Sequence, residues 1–191
     1  MKRWIVVAAI ALALATATMA QERASFTGAV VIYGSGMNTR TTTDTFTMTL
    51  NGQTSAAQAQ ELLSTLQTGG QEDLRRQLRG HEVGRFSIGN HIGLPIEAAV
   101  IDRVGDRTRI RAVMERWQGF GELWRAGRSV DYPFSYIELY IDRAGRGEGT
   151  FIAAAQIRWR NNKGQNEVEI EDFGTFPGRL MGVRLRGRVP A

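Results

Sequence analysis

A chain of 191 residues with no cysteine, 24 Lys+Arg against 19 Asp+Glu and a formal net charge of +5 is long enough for one domain with a core of its own. The missing cysteine excludes a disulfide-stapled scaffold, a thiolate metal centre and lipid attachment at a cleavage-point cysteine. The basic charge is almost all arginine, lysine occurring only at Lys2 and Lys163.

Residues 1–20 open with Lys2 and Arg3, run apolar from Ile5 to Leu14, and end in small residues with Thr18 and Ala20 at the positions a signal peptidase reads. This is the pattern of a secretory signal peptide cleaved after Ala20. The apolar run falls short of the about 20 residues a membrane-spanning helix needs. The expectation is an exported bacterial protein of the periplasm or medium, with a single β-rich domain over residues 21–191. Removing residues 1–20 from 191 leaves 171 residues and lowers the net charge from +5 to +3. So small an excess is weak support for an anionic partner, and no later stretch is apolar enough to span a membrane as a helix.

Ser25 to Tyr33 carries β-branched and aromatic residues and stops at Gly34-Ser35-Gly36. Thr41 to Leu50 then alternates, with Thr43, Thr45, Thr47 and Thr49 on one face and Phe46, Met48 and Leu50 on the other. Period-two alternation predicts a half-buried strand, and the two runs read as a hairpin. The glycine pair is a loop and not a nucleotide-binding turn, since a threonine-rich strand follows where a phosphate site needs a helix N-terminus.

Ser55-Ala56-Ala57-Gln58 has capping-box spacing, and Ala59, Leu62, Leu63 and Leu66 follow as an apolar helical stripe. Gly69-Gly70 predicts a stop, with a second short helix from Gln71 to Arg79 that turns Leu74 and Leu78 inward. Phe86 and Ile88 mark a short strand, followed by a connection through Gly93-Leu94-Pro95. Ile96 to Val104 and Arg107 to Trp117 form a hairpin about Gly105-Asp106, a register that faces Asp102 to Arg109 and Ile101 to Ile110. Gln118 to Arg128 mixes a helical aromatic pattern with glycines and is assigned to neither helix nor loop.

Phe134 to Asp142, Thr150 to Arg160 and Glu167 to Phe173 are three consecutive strands. A two-residue turn at Lys163-Gly164 pairs Arg160 with Glu167, Arg158 with Glu169, Trp159 with Val168 and Ile157 with Ile170. That register puts every apolar residue on one face and every charge on the other. Leu180 to Arg188 is a last strand, on which Met181, Val183 and Leu185 alternate with Arg184, Arg186 and Arg188. The acidic row of Glu167, Glu169 and Glu171 is expected to supply counter-charges to those arginines and to Arg179. The fold expected is α+β: a mostly antiparallel, strongly curved sheet or half-barrel of about seven to nine strands, with a helical insertion at 55–79.

No chemistry is marked as firmly. The histidines, His81 and His91, lack the ligands and spacing of a zinc site, and no nucleophile elbow or metalloprotease motif occurs. No catalytic, cofactor-binding or metal residue is assigned, and no nucleic acid partner is expected. Acids and aromatics do gather in one region. Glu115, Glu122 and Glu138, with Trp117, Trp124 and Tyr132, are the candidate ligand-binding residues, suited to a small-molecule or polysaccharide ligand. Packing is the commoner use of such aromatics. The expected function is that of a non-enzymatic binding or envelope-associated protein. The alternatives are a secreted carboxylate-dependent hydrolase acting on an envelope or extracellular polymer, and a small outer-membrane β-barrel.

Overall fold

A computed structural model describes residues 23–33, 40–116, 131–162, 165–174 and 176–190, without the side chains of residues 161, 162, 165 and 166. The alternation of residues 24–50 is realised as strands β1 (Ala24–Ile32) and β2 (Thr42–Leu50), followed by helix α1 (Ala56–Leu78). Then come β3 (Gly84–Ile88), β4 (Leu94–Ile96), β5 (Ala98–Val104), β6 (Arg107–Glu115), β7 (Phe134–Ile141), β8 (Arg146–Asn162), β9 (Gln165–Asp172) and β10 (Gly178–Gly187). The signal-peptide stretch, Gly34-Ser35-Gly36, Gln118 to Arg128 and the Lys163-Gly164 turn lie outside the described residues.

The strands form one antiparallel sheet in the order β4-β3-β2-β1-β10-β8-β7-β6-β5, with β9 added beside β8. Its two ends, β4 and β5, are consecutive pieces of one segment separated by Glu97 alone. A segment that pairs with β3 through its first half and β6 through its second draws the sheet into a nearly closed barrel. The count reaches ten because Leu94–Ile96, expected as a connection, pairs with β3. Its Pro95 is tolerated there because β4 ends the sheet path, where a missing N–H breaks no inner ladder.

The barrel interior is apolar. Phe26, Phe46, Met48, Leu50, Ile110, Met114, Ile137, Leu139 and Leu180 all point into it and are buried. Thr43, Thr45 and Thr47 are exposed, as their alternation with Phe46 and Met48 requires. Gly147 and Gly149 allow β8 to approach β7, since a Cβ at either would lie 2.2 Å from a carbonyl oxygen of Tyr140 or Glu138.

Ser55 caps α1 with a complete capping box: its hydroxyl accepts from the Gln58 N–H at 3.2 Å, and its own N–H donates to Gln58 Oε1 at 3.0 Å. The break predicted at Gly69-Gly70 is present as a kink at Gly70, with φ 72° and ψ −166°. It folds the helix back on itself, because Gln77 Nε2 donates to Glu61 Oε1 at 2.8 Å. In a straight helix sixteen residues would span about 24 Å. Both halves thereby lay leucines, Leu62 and Leu66 from the first and Leu74 and Leu78 from the second, on the outer face of the sheet.

The β8–β9 register is the one the sequence predicts, from Asn162 opposite Gln165 to Ile157 opposite Ile170. Its apolar face packs beneath α1. The ion pairs run diagonally, however. Arg160 meets Glu169 and Arg158 meets Glu171 at 3.4 Å, where directly opposite partners were expected. Arginine side chains long enough to reach the next residue on the same face make the diagonal pair accessible.

The last strand departs from simple alternation. Between Leu180 and Val183 the register with β8 shifts, and that with β1 shifts between Thr27 and Ala29. Gly182 supplies φ +60° at this bulge, so the inward set is Leu180, Val183 and half-buried Leu185, while Met181 turns outward. Nor does the acidic row serve β10. β9 pairs with the far half of β8, where Glu169 and Glu171 are taken by Arg160, Arg158 and the Tyr132 hydroxyl.

Candidate ligand-binding site

The helical hairpin does not seal the sheet beneath it. Between α1 and the outer faces of β5, β6, β7, β8 and β9 lies an apolar groove of about 380 Å³. Leu62, Leu63 and Leu66 form its roof, while Val113, Tyr136, Ile157 and Ile170 form its floor. The residues arrive there by parity: on β6 the inward positions are Ile110, Ala112 and Met114, so Arg109, Arg111 and Val113 project outward. Burial pushes the Tyr136 hydroxyl pKa well above its ordinary value.

One end of the groove is charged. Arg109 donates to Asp102 through Nε at 2.9 Å and Nη2 at 2.5 Å, the pair expected from the hairpin register. The Arg109 hydrogen bond holds Asp102 below the usual carboxylate range. Arg111 Nη2 also donates to Asp102, at 3.2 Å. Glu138 accepts from the Tyr140 hydroxyl at 2.9 Å and lies 3.9 Å from Arg109. Arg111 Nε is buried without a hydrogen-bond partner among the described residues, an arrangement that costs free energy unless an acceptor arrives.

A second cavity, of about 260 Å³, opens where the two helix halves meet the β4–β5 junction; Gln58, Gln77, His81 and Glu97 line it. Glu97 is 7% exposed, and its Oε2 accepts the Glu115 backbone N–H at 2.7 Å. Burial dominates and raises its pKa from 4.5 to about 7. Glu115, the next carboxylate, behaves oppositely. Desolvation raises its pKa, but hydrogen bonds from Arg79 and Arg75 outweigh that and leave it lowered. Arg75 contacts Glu115 Oε1 at 2.7 Å and Arg79 at 3.2 Å, which clamps the C-terminal half of α1 to β6.

Of the six residues singled out from sequence, Trp117, Glu122 and Trp124 lie outside the described residues. Glu115 forms the clamp just described. Tyr132 is buried, donates to Glu171 Oε1 at 2.6 Å and packs on Phe173. Glu138 sits at the charged end of the groove. Glu115 and Glu138 do not converge. Their register partners are Phe134 and Arg111, four positions apart along the strands, or about 13 Å. That exceeds the about 5–9.5 Å separating a glycosidase pair. Sequence reasoning missed Glu97 and Arg111. Glu97 was detectable as a lone acid within the apolar run Leu94 to Ile101, whereas Arg111 has no local signal beyond its alternation.

Comparison with known proteins finds no match among protein-family models, curated proteins or solved structures.

Proposed function

We propose that this is an exported, non-enzymatic binding protein of a bacterial envelope, and that its ligand is an amphipathic molecule with one anionic end seated between α1 and the sheet. The observation that carries this reading is the groove itself: apolar along its length, with Arg109, Arg111 and Glu138 at one end and the buried Nε of Arg111 unpaired among the described residues. A volume of about 380 Å³ falls in the range of about 300–1,000 Å³ usual for small-molecule sites. A carboxylate at the charged end satisfies Arg111 Nε and gains a charge-assisted bond, while an acyl chain replaces water along the leucines. Export rests on residues 1–20 alone. The outer-membrane barrel has less support, because apolar residues fill the interior and threonines face outward, the reverse of a transmembrane barrel.

Titration with a fluorescent fatty acid, in parallel with the corresponding long-chain alcohol, tests the proposal. The acid is expected to bind more tightly. Arg111→Gln should weaken the acid about tenfold or more and leave the alcohol nearly unchanged, and Leu66→Trp should block both. Absence of affinity for either compound rejects the groove as a ligand site.

A carboxylate-dependent hydrolase is the second reading, and Glu97 is the observation that favours it: a cavity-lining carboxyl with a pKa of about 7 is protonated where a general acid must be. Turnover of envelope or extracellular polymers that Glu97→Gln abolishes would establish it. Turnover unaffected by that change would dismiss this site.

A further inference from the structure

A second surface, remote from the groove, has the chemistry of a membrane-docking face. At the end of the barrel where β1 finishes and β10 begins, Phe173 is 45% and Phe176 65% exposed. The Phe176 ring packs edge-on against Tyr33 at 6.3 Å. From there the outer face of β10 carries Arg179, Met181, Arg184 and Arg186, all exposed. Pairing with β1 sets Arg179 beside Val31, Arg184 beside Thr27 and Arg186 beside Ser25, so the row lies among neutral neighbours on that side. On the other side Arg184 faces Arg146. Of the nearest acids on that side, Glu148 is held by Arg107 at 3.5 Å, and Asp142 lies 3.7 Å from Arg146. None of Arg179, Arg184 and Arg186 meets an acid among the described residues.

We infer that this face docks the protein on an anionic lipid surface. Aromatic rings at one end of a row of arginines match a bilayer interface, where rings sit at headgroup depth and guanidinium groups meet lipid phosphates. The exposed apolar residues select a bilayer over a soluble polyanion. Met181 is 50% exposed because the β10 bulge turns it outward between Arg179 and Arg184. Burying Met181 and the rings in the headgroup region adds a salt-resistant contribution to a salt-sensitive one. The inference does not rest on the groove being a ligand site.

Co-sedimentation tests it, using the protein in the form an exporting host accumulates. One set of vesicles contains phosphatidylglycerol and phosphatidylethanolamine, and the other phosphatidylcholine alone; soluble dextran sulfate is a separate arm. Binding is expected to the anionic vesicles only, reduced but not abolished by salt. Each of Arg184→Gln and Arg186→Gln should weaken it about fivefold. Phe176→Ser should remove most of the salt-resistant part, while Val104→Ser, at an exposed site on β5, should change nothing. Unfolding midpoints close to that of the unaltered protein would confirm that the variants fold. Equal binding to neutral vesicles, no vesicle binding, or full binding by the triple variant Arg184→Gln, Arg186→Gln, Phe176→Ser would each overturn the inference. Capture of dextran sulfate without vesicle binding would overturn it too, and assign the row to soluble polyanions.

Discussion

The two apolar layers of this molecule are built from the same strands and closed in different ways. Inside the barrel, side chains from nine strands meet one another, and Phe46, Met48, Leu139 and Leu180 keep no more than 2% of their surface exposed. On the outer side the folded-back α1 is, among the described residues, what covers the sheet, and it leaves an open groove with arginines at one end. A sheet that curls on itself fills its concave side by geometry. Its convex side is covered only where something is laid over it, so there space and charge coexist with apolar surface. The proposed ligand site and the buried acid both lie on that convex side or at its margin.

The comparison breaks first on core truncation. Phe46→Ala should cost about 3–5 kcal/mol and Leu66→Ala less, near the ~2 kcal/mol lower end of buried-leucine truncations, because Leu66, though buried, borders the groove and is packed less completely than Phe46. Equal losses in urea unfolding would mean that the outer layer is as closed as the inner. The margin between the layers is sharpened by pH. Glu97, with a folded pKa raised to about 7 against an ordinary 4.5, holds its proton in the folded state over that interval while the unfolded chain releases it. Stability is therefore fully present below about pH 4.5 and falls as pH rises to about 7, by on the order of 3 kcal/mol. Glu97→Gln should flatten this slope in unfolding midpoints taken between pH 5 and 8, whereas an unchanged slope would place the titrating group elsewhere.

A smaller effect belongs to the fold-back of α1. Gly70 occupies a conformation reserved for glycine, and Gly70→Ala should cost about 1–3 kcal/mol. It should also weaken ligand binding in the groove more than Phe46→Ala does. The smallest concerns the charged face of the β8–β9 ribbon. A double-mutant cycle on Arg160 and Glu169 should give a coupling of about 0.2–1 kcal/mol, and one on Arg158 and Glu169 near zero. Coupling in the second cycle alone would restore the directly opposite pairing.

Much of the fold was legible because strand alternation and helix capping are local. Thr41 to Leu50 announces its faces, Ser55 and Gln58 announce the helix start, and Ile157, Trp159, Val168 and Ile170 admit one register. The outward bulge of Met181 was not legible, since it depends on two neighbouring strands shifting register together. The candidate site was less legible still. Glu115 and Glu138 lie close in a list of acids and aromatics, yet β6 and β7 place them at separate points of one outer face.

The sequence by itself determined all strands but β4, the faces of most of them, the break in the helix and the register of two hairpins, because each follows from periodicity or turn chemistry within some twenty residues. Only the tertiary structure decided that one segment closes both ends of the sheet, that the apolar face of β8–β9 belongs beneath α1, and that Glu97 is buried while Arg179, Arg184 and Arg186 of β10 meet no acid among the described residues. Those outcomes depend on which distant element covers a given face, and burial and charge pairing are properties of the cover as much as of the residue.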